Sequence, residues 1–220
     1  MELQCTWLEL AQNIDHINEI KIPRFVIEIE DSMYFELQGF CDASQQAYGA
    51  CIFLKAITKG TKISSNLICS KSKVAPLKAT SLPRLELCGA LILAQLMNKT
   101  DSTIVLSWIR CSSKTWKTFV ANRISEIHEL TNASDWNHVG TAENPADILS
   151  RGSTAQLLAE NQFWWKGPTW LQEDNGKPSY NEEIKNVDEV PERRQVAVNH
   201  HITRRSKMST KFLKDDKLYL

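Results

Sequence analysis

Three strand-like runs in quick succession constrain this chain most. They lie at residues 34–41, 47–56 and 64–71, and only residues 42–46 and 57–63 separate them. A parallel crossover takes about a dozen residues or more, so runs this close pair as an antiparallel meander. A helix follows. Ser81 stands at its cap position and Pro83 in its first turn. Leu85, Cys88, Ile92 and Leu96 make an apolar stripe along it. Gly89, one turn from Glu86, leaves room for a close neighbour.

Elsewhere the patterning is more broken. Trp7, Leu10, Ile14 and Ile17 recur at helical spacing, so residues 4–19 read as a short amphipathic helix, and residues 25–30 alternate as a strand would. Asp101 or Ser102 caps a second helical stretch through Ile104, Leu106, Trp108 and Ile109. Residues 117–130 read as a further helix with Phe119, Ile124 and Ile127 inward. Residues 135–139 read as a short strand, and 143–150 as a last helix stopped by Gly152. Trp164, Trp165 and Trp170 suggest a loop folded onto the body. Residues 173–195 are charged and poor in apolar side chains, which predicts disorder.

Composition narrows the class without naming a partner. The chain has 220 residues, 42% hydrophobic and 24% charged, with formal net charge zero. These are ordinary values for a globular protein. The distribution of charge says more. Between Asp42 and Glu86 stand Lys55, Lys59, Lys62, Lys71, Lys73, Lys78 and Arg84, with no acid. Such a run is either a set of solvated lysines or a phosphate-facing surface. Lys55, Lys71, Lys73, Lys78 and Arg84 are the candidate nucleic-acid contacts. The six cysteines show no metal-ligand spacing and read as reduced thiols of an intracellular protein. No apolar run is long enough to span a membrane. Glu2, Glu9 and Asp15 break up any signal-peptide core.

Four carboxylates sit in distinctive settings: Asp42 in Gly39-Phe40-Cys41-Asp42-Ala43-Ser44, Glu86 in Leu82-Pro83-Arg84-Leu85-Glu86-Leu87, Asp101 in Thr100-Asp101-Ser102, and Asp147 in Asn144-Pro145-Ala146-Asp147. With Ile22-Pro23-Arg24, Ser72-Lys73-Val74-Ala75-Pro76-Leu77, Phe119-Val120-Ala121-Asn122-Arg123 and Ser150-Arg151-Gly152, this order resembles the ribonuclease H-like region of Bel/Pao-type retrotransposon polyproteins. The resemblance covers about residues 7–172. Peptidase chemistry finds no support, because Thr103 rather than Gly follows Asp101-Ser102.

The resemblance implies an α/β fold, a mixed sheet flanked by helices. It divides the chain into a connection segment at 1–33, a ribonuclease H-like domain at 34–152, and a Trp-containing extension with a largely disordered tail at 153–220. It also implies that Asp42, Glu86, Asp101 and Asp147 hold two Mg²⁺ ions, with Mn²⁺ as an alternative, and hydrolyse RNA in an RNA–DNA hybrid. His138 would assist proton transfer or product release. The implied neighbours are the reverse transcriptase and integrase regions of a parent polyprotein. For Trp108 and Trp116, core packing outweighs a base-stacking role.

One spacing departs from the pattern. Glu86 and Asp101 are 15 residues apart. A helix running to about Met97 leaves only Asn98-Lys99-Thr100 to turn the chain and carry a parallel strand back. Three residues span at most about 10 Å. Three outcomes follow: the helix ends near Leu91 and residues 94–100, rich in helix formers, serve as a poor substitute strand; the sheet lacks its fourth strand and Asp101 lies outside the site; or the sequence is a mis-spliced or decayed copy. The last two together are the expectation, with the fourth strand missing and activity impaired. The alternatives are a non-catalytic nucleic-acid-binding or scaffold module, and a non-functional relic of a transposable element.

Overall fold

Alternation along the first strand assigns its neighbours to opposite sides of a sheet: Cys41 joins one apolar cluster and Phe40 another. In the computed structural model, which describes residues 7–8, 11, 14–22, 32–58, 62–96, 108–173, 176 and 191–193, the sheet comprises β1 (Ser32–Ala43), β2 (Ala47–Thr58) and β3 (Ile63–Val74). Their order is β1-β2-β3 and both pairings are antiparallel. The expected meander is present, with each strand a few residues longer than its apolar run. The β1–β2 turn is held by Ser44, whose Oγ accepts from the N–H groups of Gln46 and Ala47. That turn sets the register, placing Asp42 opposite Gly49 and Cys41 opposite Ala50.

One face of the sheet is covered by α1 (Leu82–Leu96) and α2 (Thr118–Leu130). Leu87, Ala90 and Leu93 of α1 pack with Cys41, Ala50 and Ile52, and Val120, Ile124 and Ile127 of α2 complete the layer. Trp108, Trp116 and Trp136 are fully buried there. The Trp108 and Trp116 rings meet edge-on at 6.3 Å, and the Trp116 indole donates to the Trp108 carbonyl at 3.2 Å. Both are core residues, as expected. Gly89 has a specific role in this layer. A Cβ built on it would lie 3.1 Å from the Asp42 carbonyl and 3.4 Å from that of Gly49. The close neighbour is the backbone of β1 and β2, and the missing side chain lets α1 settle onto the strand that carries Asp42.

The opposite face is covered by α3 (Asp147–Arg151), α5 (Gln162–Lys166) and a 3₁₀ turn at Thr169–Gln172, while the intervening α4 (Ala155–Glu160) reaches this layer through Leu158 and lies against Ile14–Glu19. Phe40, Cys51 and Phe53 pack against Trp164, Trp170 and Leu171. The loop expected around the tryptophans is two short helices and a turn built into a second core. Gly152 and Gly167 end α3 and α5 at φ of 83° and 75°, a region open to glycine.

Other expectations are corrected. Residues 135–139 form no strand. Ala133–Asp135 is a 3₁₀ turn, after which Trp136 enters the first core and Val139 the second. The segment pairs with none of β1, β2 and β3, so it lacks the hydrogen-bonded ladder that would make it a strand. Near the N-terminus, Ile14–Glu19 is a 3₁₀ helix, and Trp7 and Ile17 are exposed rather than packed. Phe119 is half-buried, between two arginines. Of the tail expected to be disordered, Pro191–Arg193 is docked on the body: Glu192 accepts from the Lys117 N–H at 2.8 Å and Arg193 bridges to Trp116. Residues 25–30 and 101–107 lie outside the described residues. No fourth strand and no parallel pairing occur among the described residues.

Two substitutions test this packing. Trp170→Ala should lower unfolding free energy by about 3–5 kcal/mol in urea titrations, as for loss of a large core aromatic. Gly89→Val should cost about 1–3 kcal/mol by forcing α1 off the Asp42 and Gly49 carbonyls.

Candidate active site

The Asn144-Pro145-Ala146-Asp147 segment is tied to β1 by its first residue. Asn144 is fully buried. Its Nδ2 donates to the Cys41 carbonyl at 2.9 Å, and its Oδ1 accepts from the Ala146 N–H at 3.1 Å. The side chain thus shapes the turn that starts α3 and fixes that turn beside Asp42. A second tie lies one helical turn later. The Ser150 hydroxyl donates to Asp42 Oδ2, and Ser44 Oγ donates to the Ser150 carbonyl at 2.5 Å.

The result is an open cleft of about 410 Å³ lined by Asp42, Ser44, Glu86, Thr141, Asp147 and Arg151, among others. Asp42 arrives from β1, Glu86 from α1 and Asp147 from α3. All three are half-buried. The Asp147 carboxyl is held above the usual carboxylate range by burial first and then by the Asp42 charge beside it, with a hydrogen bond between the two. Arg151 acts against this, its Nε standing 2.7 Å from Asp147 Oδ1. Crowded carboxylates resist joint ionisation in this way.

Of the expected site residues, Asp42, Glu86 and Asp147 share the cleft, while Asp101 lies outside the described residues. His138 does not line the cleft. Its Nδ1 is buried with no hydrogen-bond partner, and burial pulls its pKa below the ordinary value. Of the expected phosphate contacts, Lys71, Lys73 and Lys78 are exposed. Lys55 is not a surface cation: it is only 4% exposed and its Nζ donates to the Glu173 carbonyl at 2.7 Å. It alternates in phase with Cys51 and Phe53, so β2 turns it inward. Arg84 is paired with Glu192. The residues that organise the cleft, Asn144, Ser150 and Arg151, were visible in the sequence only as neighbours of carboxylates in short motifs.

An all-carboxylate donor set carries the charge and oxygen chemistry that Mg²⁺ and Mn²⁺ prefer. In type, these residues fit such an ion. In geometry, Asp42 and Asp147 converge, Glu86 lines the same cleft, and no group of three His, Cys, Asp or Glu gathers closely enough to ligate one ion among the described residues.

A family model described as the Pao retrotransposon-like RNaseH-like domain matches residues 1–117. The chain belongs to that family. The match spans the positions of Asp42, Glu86 and Asp101 and ends before His138 and Asp147. The three-stranded meander followed by α1 is the part of the ribonuclease H-like fold that this chain displays. No curated protein matches. Among solved structures, RNase H1 of the halophilic archaeon Halobacterium salinarum is similar at 14% identity and a TM-score of 0.35, over 52% of this chain and 94% of that one. The N-terminal RNase H domain of a Mycobacterium tuberculosis protein, solved as a fusion with maltose-binding protein, is similar at 14% identity and a TM-score of 0.33. It is matched over 53% of this chain and 90% of its own. No helix among the described residues is long and apolar enough to cross a membrane.

The raised Asp147 pKa has a definite sign in stability. Between the unfolded value near 3.8 and the higher folded value, the folded state binds more protons than the unfolded state. In metal-free buffer, this group's contribution to stability is therefore greatest below about pH 3.8 and falls as pH rises through the folded pKa. Asp147→Asn should remove that dependence and be at least as stable as the parent at pH 7, read as urea midpoints from pH 3.5 to 7.

Proposed function

We propose that this Pao-family domain carries a weakened form of a cation-dependent nuclease site directed at the RNA strand of an RNA–DNA hybrid. The observation that carries the reading is the convergence of the Asp42 and Asp147 carboxyls in a cleft that Glu86 also lines. Asp42 and Asp147 would hold Mg²⁺ or Mn²⁺ with Glu86 lining the same cleft, and the ion would supply a more acidic water and charge neutralisation at the phosphate. Asn144 and Ser150 keep Asp42 and Asp147 together, and Arg151 balances part of their charge. That ion pair is no obstacle to a cation, because the Arg151 side chain is 65% exposed and an exposed pair of this kind is weak.

Impairment is part of the proposal and has its own support. Helix α1 runs to Leu96, past the end near Leu91 that a substitute strand over residues 94–100 would require. From Glu86 that helix climbs roughly 15 Å at ~1.5 Å per residue. Residues 97–100 then remain before Asp101. Four residues span at most about 14 Å fully extended, and reversing direction uses part of that length. A strand bringing Asp101 back beside β1 does not fit in what is left. A non-catalytic module is the second reading, and the hydrogen bond from Ser150 to Asp42 favours it, because that acid already has a partner.

The assay is cleavage of an end-labelled RNA–DNA hybrid by the full chain with Mg²⁺ or Mn²⁺. Slow cleavage, abolished by Asp42→Asn and accelerated by a strand-length insertion before Thr100, is the expected result. Rapid cleavage by the unaltered chain would refute the impairment. No cleavage with either metal, with or without the insertion, would remove the nuclease reading and leave the binding module.

A further inference from the structure

Arg84 and Lys117 come from separate helix starts and meet at one carboxylate. Nη2 and Nε of Arg84 lie 2.7 and 2.9 Å from Oε1 of Glu192. The Lys117 ammonium lies 3.9 Å from Oε2, and the Lys117 N–H donates to the Glu192 carbonyl at 2.8 Å. Arg123 belongs to the same group. The Phe119 ring has the Arg84 guanidinium 4.8 Å from its centre and that of Arg123 at 3.7 Å. Two guanidinium groups therefore flank one aromatic ring, and one acidic side chain serves Arg84 of that pair together with Lys117.

Glu192 fills this position incompletely. Its Oε2 is buried without a hydrogen-bond partner, and so is Nε of Arg123. Only one of the two carboxylate oxygens takes the arginine donors. Its backbone φ is 72°, which a residue with a Cβ adopts against steric resistance. The residues on either side hold it there. The Trp108 indole donates to the Pro191 carbonyl at 3.0 Å, and Arg193 bridges to Trp116. The tail is thereby docked so that a single acid faces the cation group.

We infer that Arg84, Lys117 and Arg123 form a binding site for a backbone phosphate of nucleic acid, and that Glu192 occupies it as an intramolecular competitor. This rests on the nucleic-acid partner named above. Guanidinium groups match phosphate oxygens in geometry, and a phosphate offers more acceptor oxygens than the carboxylate now present. The Phe119 ring steadies both arginines by cation–π contact. Residues two apart on a helix do not share a face, so Arg84 and Glu86 point to different sides of α1. The site therefore lies beside the carboxylate cleft and takes a phosphate other than the one being cleaved. Detachment of Pro191–Arg193 would open it, and binding and tail docking compete for the same cations.

The test is fluorescence anisotropy with a labelled RNA–DNA hybrid and the full chain in EDTA, in an Asp42→Asn background so that cleavage plays no part. Glu192→Gln should tighten binding by at least about fivefold, the low end of ordinary coupling between sites. Arg84→Ala added to Glu192→Gln should abolish that gain and reduce the salt slope by about one. Because Glu192→Gln could destabilise the fold, the charge-swapped pair Arg84→Glu with Glu192→Arg provides a second arm. It should keep the melting temperature of the parent yet bind no better than the parent. Hybrid affinity that is unaffected by Glu192→Gln and by Arg84→Ala would overturn the site while leaving the partner intact. Absence of binding by every variant down to low salt would overturn both the site and the nucleic-acid reading.

Discussion

The hydrogen bond from Asn144 to the Cys41 carbonyl is the constraint on which the rest of the cleft depends. It joins parts of the chain about a hundred residues apart, at the residue immediately before Asp42 and three residues before Asp147. A buried amide must use both ends of its side chain or lose free energy. Asn144 uses Nδ2 on the strand and Oδ1 on the turn, so satisfying one residue brings two acids together. Gly89 supplies the complementary approach from the other side of the sheet, since α1 can bring Glu86 close only if its backbone settles on β1. The two contacts act at the same stretch of strand, and both are made with backbone rather than with a side chain that substitution could remove.

The meander, α1 and α2 were legible because their signals are local: strand-like runs with short turns between them, a proline in a first helical turn, and apolar residues at helical spacing. Three carboxylates of the cleft were legible from their motifs. What was missed depends on distant contacts. Helices α4 and α5 are too short to show a period: α5 is placed by Trp164, which shares one face of the sheet with Phe40, Phe53 and Trp170, and α4 lies against the 3₁₀ helix at Ile14–Glu19. Residues 135–139 have strand-like composition, yet they leave a 3₁₀ turn at Ala133–Asp135 and pair with no strand among the described residues. The docked Pro191–Arg193 lies in a stretch whose composition predicts disorder, and only its partners at Trp108, Trp116, Lys117 and Arg84 hold it. Lys55 is a different kind of miss. Alternation with Cys51 and Phe53 assigns it to the buried face, but grouping lysines by charge passed over that period.

Charge in this chain is locally neutralised by its own residues at the two places where nucleic-acid chemistry is proposed. Arg151 stands against Asp147, and Glu192 against Arg84 and Lys117. The two pairings differ in strength for a physical reason. Arg151 is largely exposed, so solvent and salt screen its attraction to Asp147. The Glu192 side chain is only 14% exposed, so its pairing is less screened and removing one partner leaves an uncompensated charge. A cation approaching the cleft therefore meets a weaker internal competitor than a phosphate approaching Arg84. On the proposed reading, substrate engagement should be limited by release of the tail before it is limited by metal entry.

On the same reading, a domain without a strand beside β1 can still persist as a folded unit. Loss of a strand beside β1 would leave an open sheet edge, which is ordinarily a hazard for pairing with other chains. The described part of this protein answers with packing on both faces of the sheet. Trp108, Trp116 and Trp136 fill one side, and Trp164 and Trp170 fill the other. Cores of this kind depend on β2, the central strand, where Ala50, Cys51 and Phe53 are fully buried, and not on any neighbour beyond β1. Stability and catalysis are thus separable here. The hydrophobic layers organise around β2, whereas the fourth carboxylate would have to be delivered along the edge of β1. A change in chain length between Glu86 and Asp101 can remove the second requirement while leaving the first nearly intact.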